Sequence, residues 1–132
     1  MNNRSEQAAL RSKLFASLVG KQGAVVLPGR YGGDYNNDHL AYVENGDALT
    51  LILGLKVLEE EGGVHLDNAS LGPHTQYTKP WFMALIGSLA QDPETKSIAV
   101  RIEKSLRDDM LVGAIICLDQ ATQQVSMFKV EI

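Results

Sequence analysis

Leu40-Ala-Tyr-Val-Glu44, Asn45-Gly46 and Asp47-Ala-Leu-Thr-Leu-Ile-Leu53 form the segment whose reading decides the fold. Two apolar runs flank an Asn-Gly pair. That is the strongest short-range cue for a β-hairpin, because a tight primed turn needs positive φ at its centre. Beyond the turn, Leu49, Leu51, Leu53, Leu55 and Val57 recur at every second position and share one face of an extended strand. Ala48, Leu51, Ile52, Leu55 and Leu58 also satisfy a helical period. The turn chemistry and Gly54 favour a strand through about residue 55, and residues 54–62 stay open between strand and helix.

Toward the N-terminus, Gly23-Ala-Val-Val-Leu-Pro28 is a short β-branched run closed by proline and reads as a strand. Residues 4–19 read as an amphipathic helix, with Leu10, Leu14 and Leu18 at four-residue spacing. Asn3 and Glu6 fit the reciprocal capping pattern, and Gly20 is a stop. Residues 29–38 have almost no aliphatic content and read as loop.

Toward the C-terminus, residues 62–77 form a second loop rich in Gly, Asn, Ser, His and Pro. Thr78-Lys-Pro-Trp81 opens a second helix, with Thr78 as cap and proline in the first turn. Phe82, Leu85, Ile86 and Leu89 follow helical spacing, and Asp92-Pro93 ends it. The remainder reads as a three-stranded meander. Ile98, Val100 and Ile102 alternate with Ala99, Arg101 and Glu103; Arg107-Asp-Asp109 turns; Met110–Leu118 is apolar on both faces, as a covered central strand should be; Val125–Ile132 is the last strand.

Helix, three strands, helix, three strands predicts an α+β fold: a largely antiparallel sheet of five to seven strands with two amphipathic helices on one face. Leu14-Phe-Ala-Ser-Leu-Val-Gly20 resembles Trp81-Phe-Met-Ala-Leu-Ile-Gly87, which two amphipathic helices can share with or without internal duplication. At 132 residues and 14.4 kDa, 45% apolar and 21% charged, residues 1–132 are expected to form one globular domain. No apolar run approaches the ~20 residues that cross a bilayer, so no membrane span is expected.

Net charge is −4, which argues against nucleic-acid binding, where a basic face must neutralise phosphates. The charge is uneven: +4 over residues 1–30, −8 over residues 31–95 and zero over residues 96–132. The acidic middle is either the solvated face of one domain or a surface that docks a basic partner or a cation. Cys117 is the single cysteine and lies in an apolar run, where a buried, inert thiol is expected. Met1-Asn-Asn-Arg-Ser-Glu-Gln7 has no apolar core after its charge, so no secretory signal is read and a cytoplasmic location is expected.

No spacing matches a known chemistry. His39, His65 and His74 fit no zinc pattern, and Asp34-Tyr-Asn-Asn-Asp38 lacks the ladder of a calcium loop. Gly29-Arg-Tyr-Gly32-Gly33 follows a strand but forms no phosphate cradle. Ser70, near His65 and His74, has no nucleophile elbow. Glu59-Glu60-Glu61 and Asp108-Asp109 read as surface. No catalytic residue, metal or cofactor is assigned.

Aromatic residues cluster at the two loops: Tyr31, Tyr35 and Tyr42 at the first, Tyr77, Trp81 and Phe82 at the second. They either seal the ends of the core or serve recognition, which favours large, stiff side chains with a polar tip. Two functional expectations follow. The first is a non-enzymatic protein-interaction protein, an adaptor or neutralising protein, using the acidic, aromatic-edged surface of loops 29–39 and 62–81. The second is a small-molecule binder or enzyme with a pocket between the sheet and the second helix. The binding candidates over both readings are Arg30, Tyr31, Tyr35, His65, His74, Tyr77 and Trp81. The C-terminal strand, if an edge, favours a homodimer.

Overall fold

The computed structural model describes residues 3–29, 31, 38–57, 66, 71, 74–119, 122 and 124–130, apart from the side chains of 3–8, 11 and 57. The elements run α1 (Asn3–Gly20), β1 (Val25–Val26), β2 (His39–Asn45), β3 (Ala48–Val57), α2 (Lys79–Ala90), α3 (Lys96–Arg107), β4 (Leu111–Asp119) and β5 (Gln124–Val130). The strands form one sheet in chain order, β1 to β5. The fold class is α+β. The sheet is mixed rather than purely antiparallel, because β3 and β4 run parallel and α2 and α3 make the crossover between them.

The β2–β3 hairpin forms one residue later than the Asn-Gly reading places it. Asn45 already pairs with Ala48, and Gly46-Asp47 makes the turn. Gly46 carries φ +62°, whereas Asp47 does not take positive φ. One glycine at the first turn position meets that demand. Arg101 on α3 braces this turn, donating to the carbonyls of Gly46 (2.9 Å) and Ala48 (3.4 Å).

Residues 96–107 are a helix, not the expected strand. Their hydrophobic residues fit both periods, but Val100 is 63% exposed while Ile98, Ala99, Ile102 and Ser105 are buried, a helical stripe. Asp92-Pro93 starts this helix as much as it ends the previous one. Asp92 Oδ1 accepts from Glu94 N (3.0 Å), and Thr95 Oγ1 donates to Leu89 O (2.7 Å). Lys104 and Arg107 lie in the last turn, where cations favour the helix dipole. With α3 in place of a strand, the second half no longer repeats the order of the first. Thr78 precedes α2 in extended conformation, yet its hydroxyl donates back to Thr75 O (2.6 Å) rather than capping the helix.

The helices cover both faces of the sheet instead of one. On one face, Leu40, Leu49, Leu51, Leu53 and Ile115 pack beneath α2 and α3 with Trp81, Phe82, Leu85, Ile98 and Ile102. On the other, Ala41, Ile52, Leu55, Ala114 and Ile116 pack beneath Phe15 and Val19 of α1. Strand alternation separates the two sets. The expected single face for Leu49 through Val57 breaks at Gly54, where the β3–β4 register shifts between Leu53 and Lys56. Leu55 therefore joins the α1 side. A Cβ at Gly54 would stand 2.9 Å from Ile116 O and 3.2 Å from Phe15 Cε1, so only glycine lets α1 settle against this kink.

Candidate interaction surface

The sequence-predicted residues split three ways. Arg30, Tyr35 and His65 lie outside the described residues. Tyr31, Tyr77 and Trp81 converge, but inside the core beneath α2, and His74 lies half-buried in the segment before that helix. Trp81 is fully buried and makes edge contacts with Tyr77 and Phe82, with ring centroids 5.6 and 5.3 Å away. The Tyr77 ring stacks on Phe82, and its hydroxyl lies 3.0 Å from Leu51 O and 2.9 Å from Ala114 O. Burial holds that hydroxyl protonated well beyond the ordinary tyrosine range. The space between sheet and α2 is thus filled by Trp81, Phe82 and Leu85.

Beside this aromatic cluster sits a polar group that the sequence reading did not single out. Lys56 Nζ meets Asp38 Oδ2 at 2.7 Å, and both side chains are buried. Gln76 Nε2 donates to the same Oδ2 (3.0 Å) and to Tyr31 O (2.7 Å), while Tyr31 N donates to Asp38 O (2.9 Å). These bonds fasten the ends of the two long loops to the carboxyl end of β3. Lys56 pairs in register with Cys117, whose thiol burial pushes up to about 11. It is a protonated thiol at neutral pH and a poor nucleophile. Among the described residues no buried side-chain nitrogen or oxygen lacks a partner, and no group of histidine, cysteine and carboxylate ligands could hold a metal. A single lysine within Leu51-Ile-Leu-Gly-Leu-Lys-Val57 is the signal that could have found this cluster, since a buried charge needs a counter-ion.

The open surface lies on the α1 side of the sheet. Four strand spacings of about 4.8 Å make the sheet about 19 Å wide, enough for two helices at about 10 Å each. Among the described residues the opposite face carries two helices, whereas this one carries α1 alone. Beside the C-terminal end of α1 runs a groove of about 440 Å³, floored by Val43, Thr50, Ile52, Val112 and Ala114 and walled by Met127 and Lys129 of β5. Val112 and Met127 are 36% and 51% exposed. Of the groove's lining residues, Lys129 alone carries charge. On α1 itself Leu10 and Leu14 are 65% and 36% exposed.

Comparison with protein-family models, with curated proteins and with solved structures finds no match to this chain. Among the described residues no helix is long and apolar enough to cross a membrane.

Proposed function

We propose that this chain is a non-enzymatic protein-interaction protein that receives an amphipathic helix of a partner on the uncovered half of its sheet. The observation that supports this is the asymmetry of cover among the described residues: two helices on one face, one on the other, and a mainly apolar groove beside it. Helix-in-groove recognition uses an apolar stripe at i, i+3, i+4 and i+7. Lys129 at the wall calls for a carboxylate flanking that stripe. A cytoplasmic setting suits a chain whose one cysteine is a buried thiol.

The test is selection of peptides from a displayed library of randomised amphipathic helices. The expected binders carry an apolar stripe with a flanking carboxylate and lose at least tenfold in affinity on Val112→Lys or Thr50→Lys, which place a charge in the groove floor (about 1.4 kcal/mol or more). Binders indifferent to both changes, yet lost on charge reversal of Glu59, Glu60 and Asp67, would move the interaction to the acidic loop surface and overturn the groove.

A further inference from the structure

We propose that β5 pairs antiparallel with β5 of a second copy of this chain, about a two-fold axis through Met127, joining two five-stranded sheets into one of ten strands. β5 ends the sheet and pairs with β4 without a break over all seven of its residues. Its outer row of backbone groups has no strand beside it among the described residues. Exposed edges are ordinarily blunted by shortness, charge, proline or a bulge. The opposite edge, β1, is two residues long and is followed by Pro28. On β5 the one such device is the charge of Lys129; the strand is otherwise regular and free of proline. Val125 and Met127 on the α1 side and Phe128 on the other are 39%, 51% and 43% exposed, so apolar surface flanks the edge above and below.

The strand is complementary to itself. Placing Met127 on the axis gives every one of the seven residues a partner: Gln124 opposite Val130, Val125 opposite Lys129, Ser126 opposite Phe128. The even register keeps each side chain on its own face. The two lysines then stand four residues apart, about 13 Å along the strand and beyond the Debye length of about 8 Å. The chain as a whole carries −4, and β5 carries no carboxylate, so two copies meet where their mutual repulsion is least. The second copy's Val125, beside Lys129, also extends the groove floor by one strand. That consequence rests on the interaction reading above; the pairing itself does not.

Light scattering on the eluting protein tests the pairing. The wild type is expected at about twice its 14.4 kDa. Met127→Lys and Met127→Glu, both at an exposed position, are each expected as folded monomers by far-ultraviolet circular dichroism, and an equimolar mixture of the two is expected to return to dimer. Mild oxidation should cross-link Met127→Cys, which faces itself across the axis, and leave Ser126→Cys, which faces Phe128, uncoupled. A monomeric wild type, a mixture that stays monomeric, or equal cross-linking at 126 and 127 would overturn the proposal. A monomer that still binds the selected helical peptides sinks the pairing alone; a dimer that binds none sinks the groove alone.

Discussion

The two faces of the sheet are built from alternate residues of the same strands, yet among the described residues two helices cover one and α1 alone covers the other. The sealed face presents leucines: Leu40, Leu49, Leu51 and Leu53. Bulky side chains on a flat surface need a thick cover, and α2 and α3 supply it with Trp81, Phe82, Leu85 and Ile102. The α1 face holds Ile52, Leu55 and Ile116 beneath Phe15 and Val19, and beside α1 it presents smaller or partly polar residues, Ala48 and Thr50, with Val112 partly exposed. A small residue left beside water forfeits little apolar burial, about 25 cal/mol for each Å². A leucine-rich face cannot be left open at that rate. Among the described residues, the part of the sheet beside α1 is thus lined by the smaller side chains Ala48, Thr50 and Val112.

The strongest way to break this contrast is truncation on each side. Trp81→Ala should cost about 3–5 kcal/mol of folding stability, the range for a fully buried large aromatic. Val112→Ala on the open half should stay within about 0.5 kcal/mol. Urea midpoints measure both, and comparable losses at the two sites would mean that the open half is packed in solution.

Next in size is the junction between the faces. Gly54→Ala should cost about 1–3 kcal/mol through overpacking against Ile116 and Phe15. The loss should shrink when Phe15→Leu is made as well, because the obstructing ring is then gone. An unchanged melting temperature for the single variant would show that α1 rides loosely on the sheet.

The smallest effect is a pH dependence confined to the sealed face. Burial raises the Cys117 thiol to about 11, above its ordinary value of 9.0. Through that window the folded chain holds a proton that the unfolded chain has lost. Stability is therefore intact below about pH 9 and falls by up to about 1.4 kcal/mol per pH unit as the pH rises toward about 11. Tyr77, raised by the same cause, adds loss of the same sign at higher pH. Comparing pH 8 with pH 10, Cys117→Ala should lose less stability than the wild type. Equal losses in the two proteins would place water at the Cys117 thiol.

Some of this was legible and some was not, for reasons that lie in particular residues. The hairpin, α1, α2 and β4 each announce themselves within a window of about ten residues, through a turn pair, a leucine spacing, an initial proline or a long apolar run. Residues 98–102 support two periods equally, and the choice fell to whether Val100 or Ala99 met the core. Tyr77 and Trp81 are aromatic residues at a loop edge in either a recognition site or a core seal, and their depth depends on where α2 lands. The open groove draws on β2, β3, β4 and β5 together, with Gln22 in the turn after α1, so no short stretch of sequence contains it.

By itself the sequence determined the class of fold, the identity of most elements and the alternation that assigns strand residues to faces up to Gly54, because these follow from local backbone preference and the periods of 2.0 and 3.6. Tertiary structure alone decided the parallel β3–β4 pairing, the helical state of residues 96–107, the burial of Lys56 against Asp38 and the unequal cover of the two faces. Each of these depends on which distant residues arrive alongside, since pairing partners, counter-ions and covering helices are set by packing across the whole chain rather than by neighbours along it.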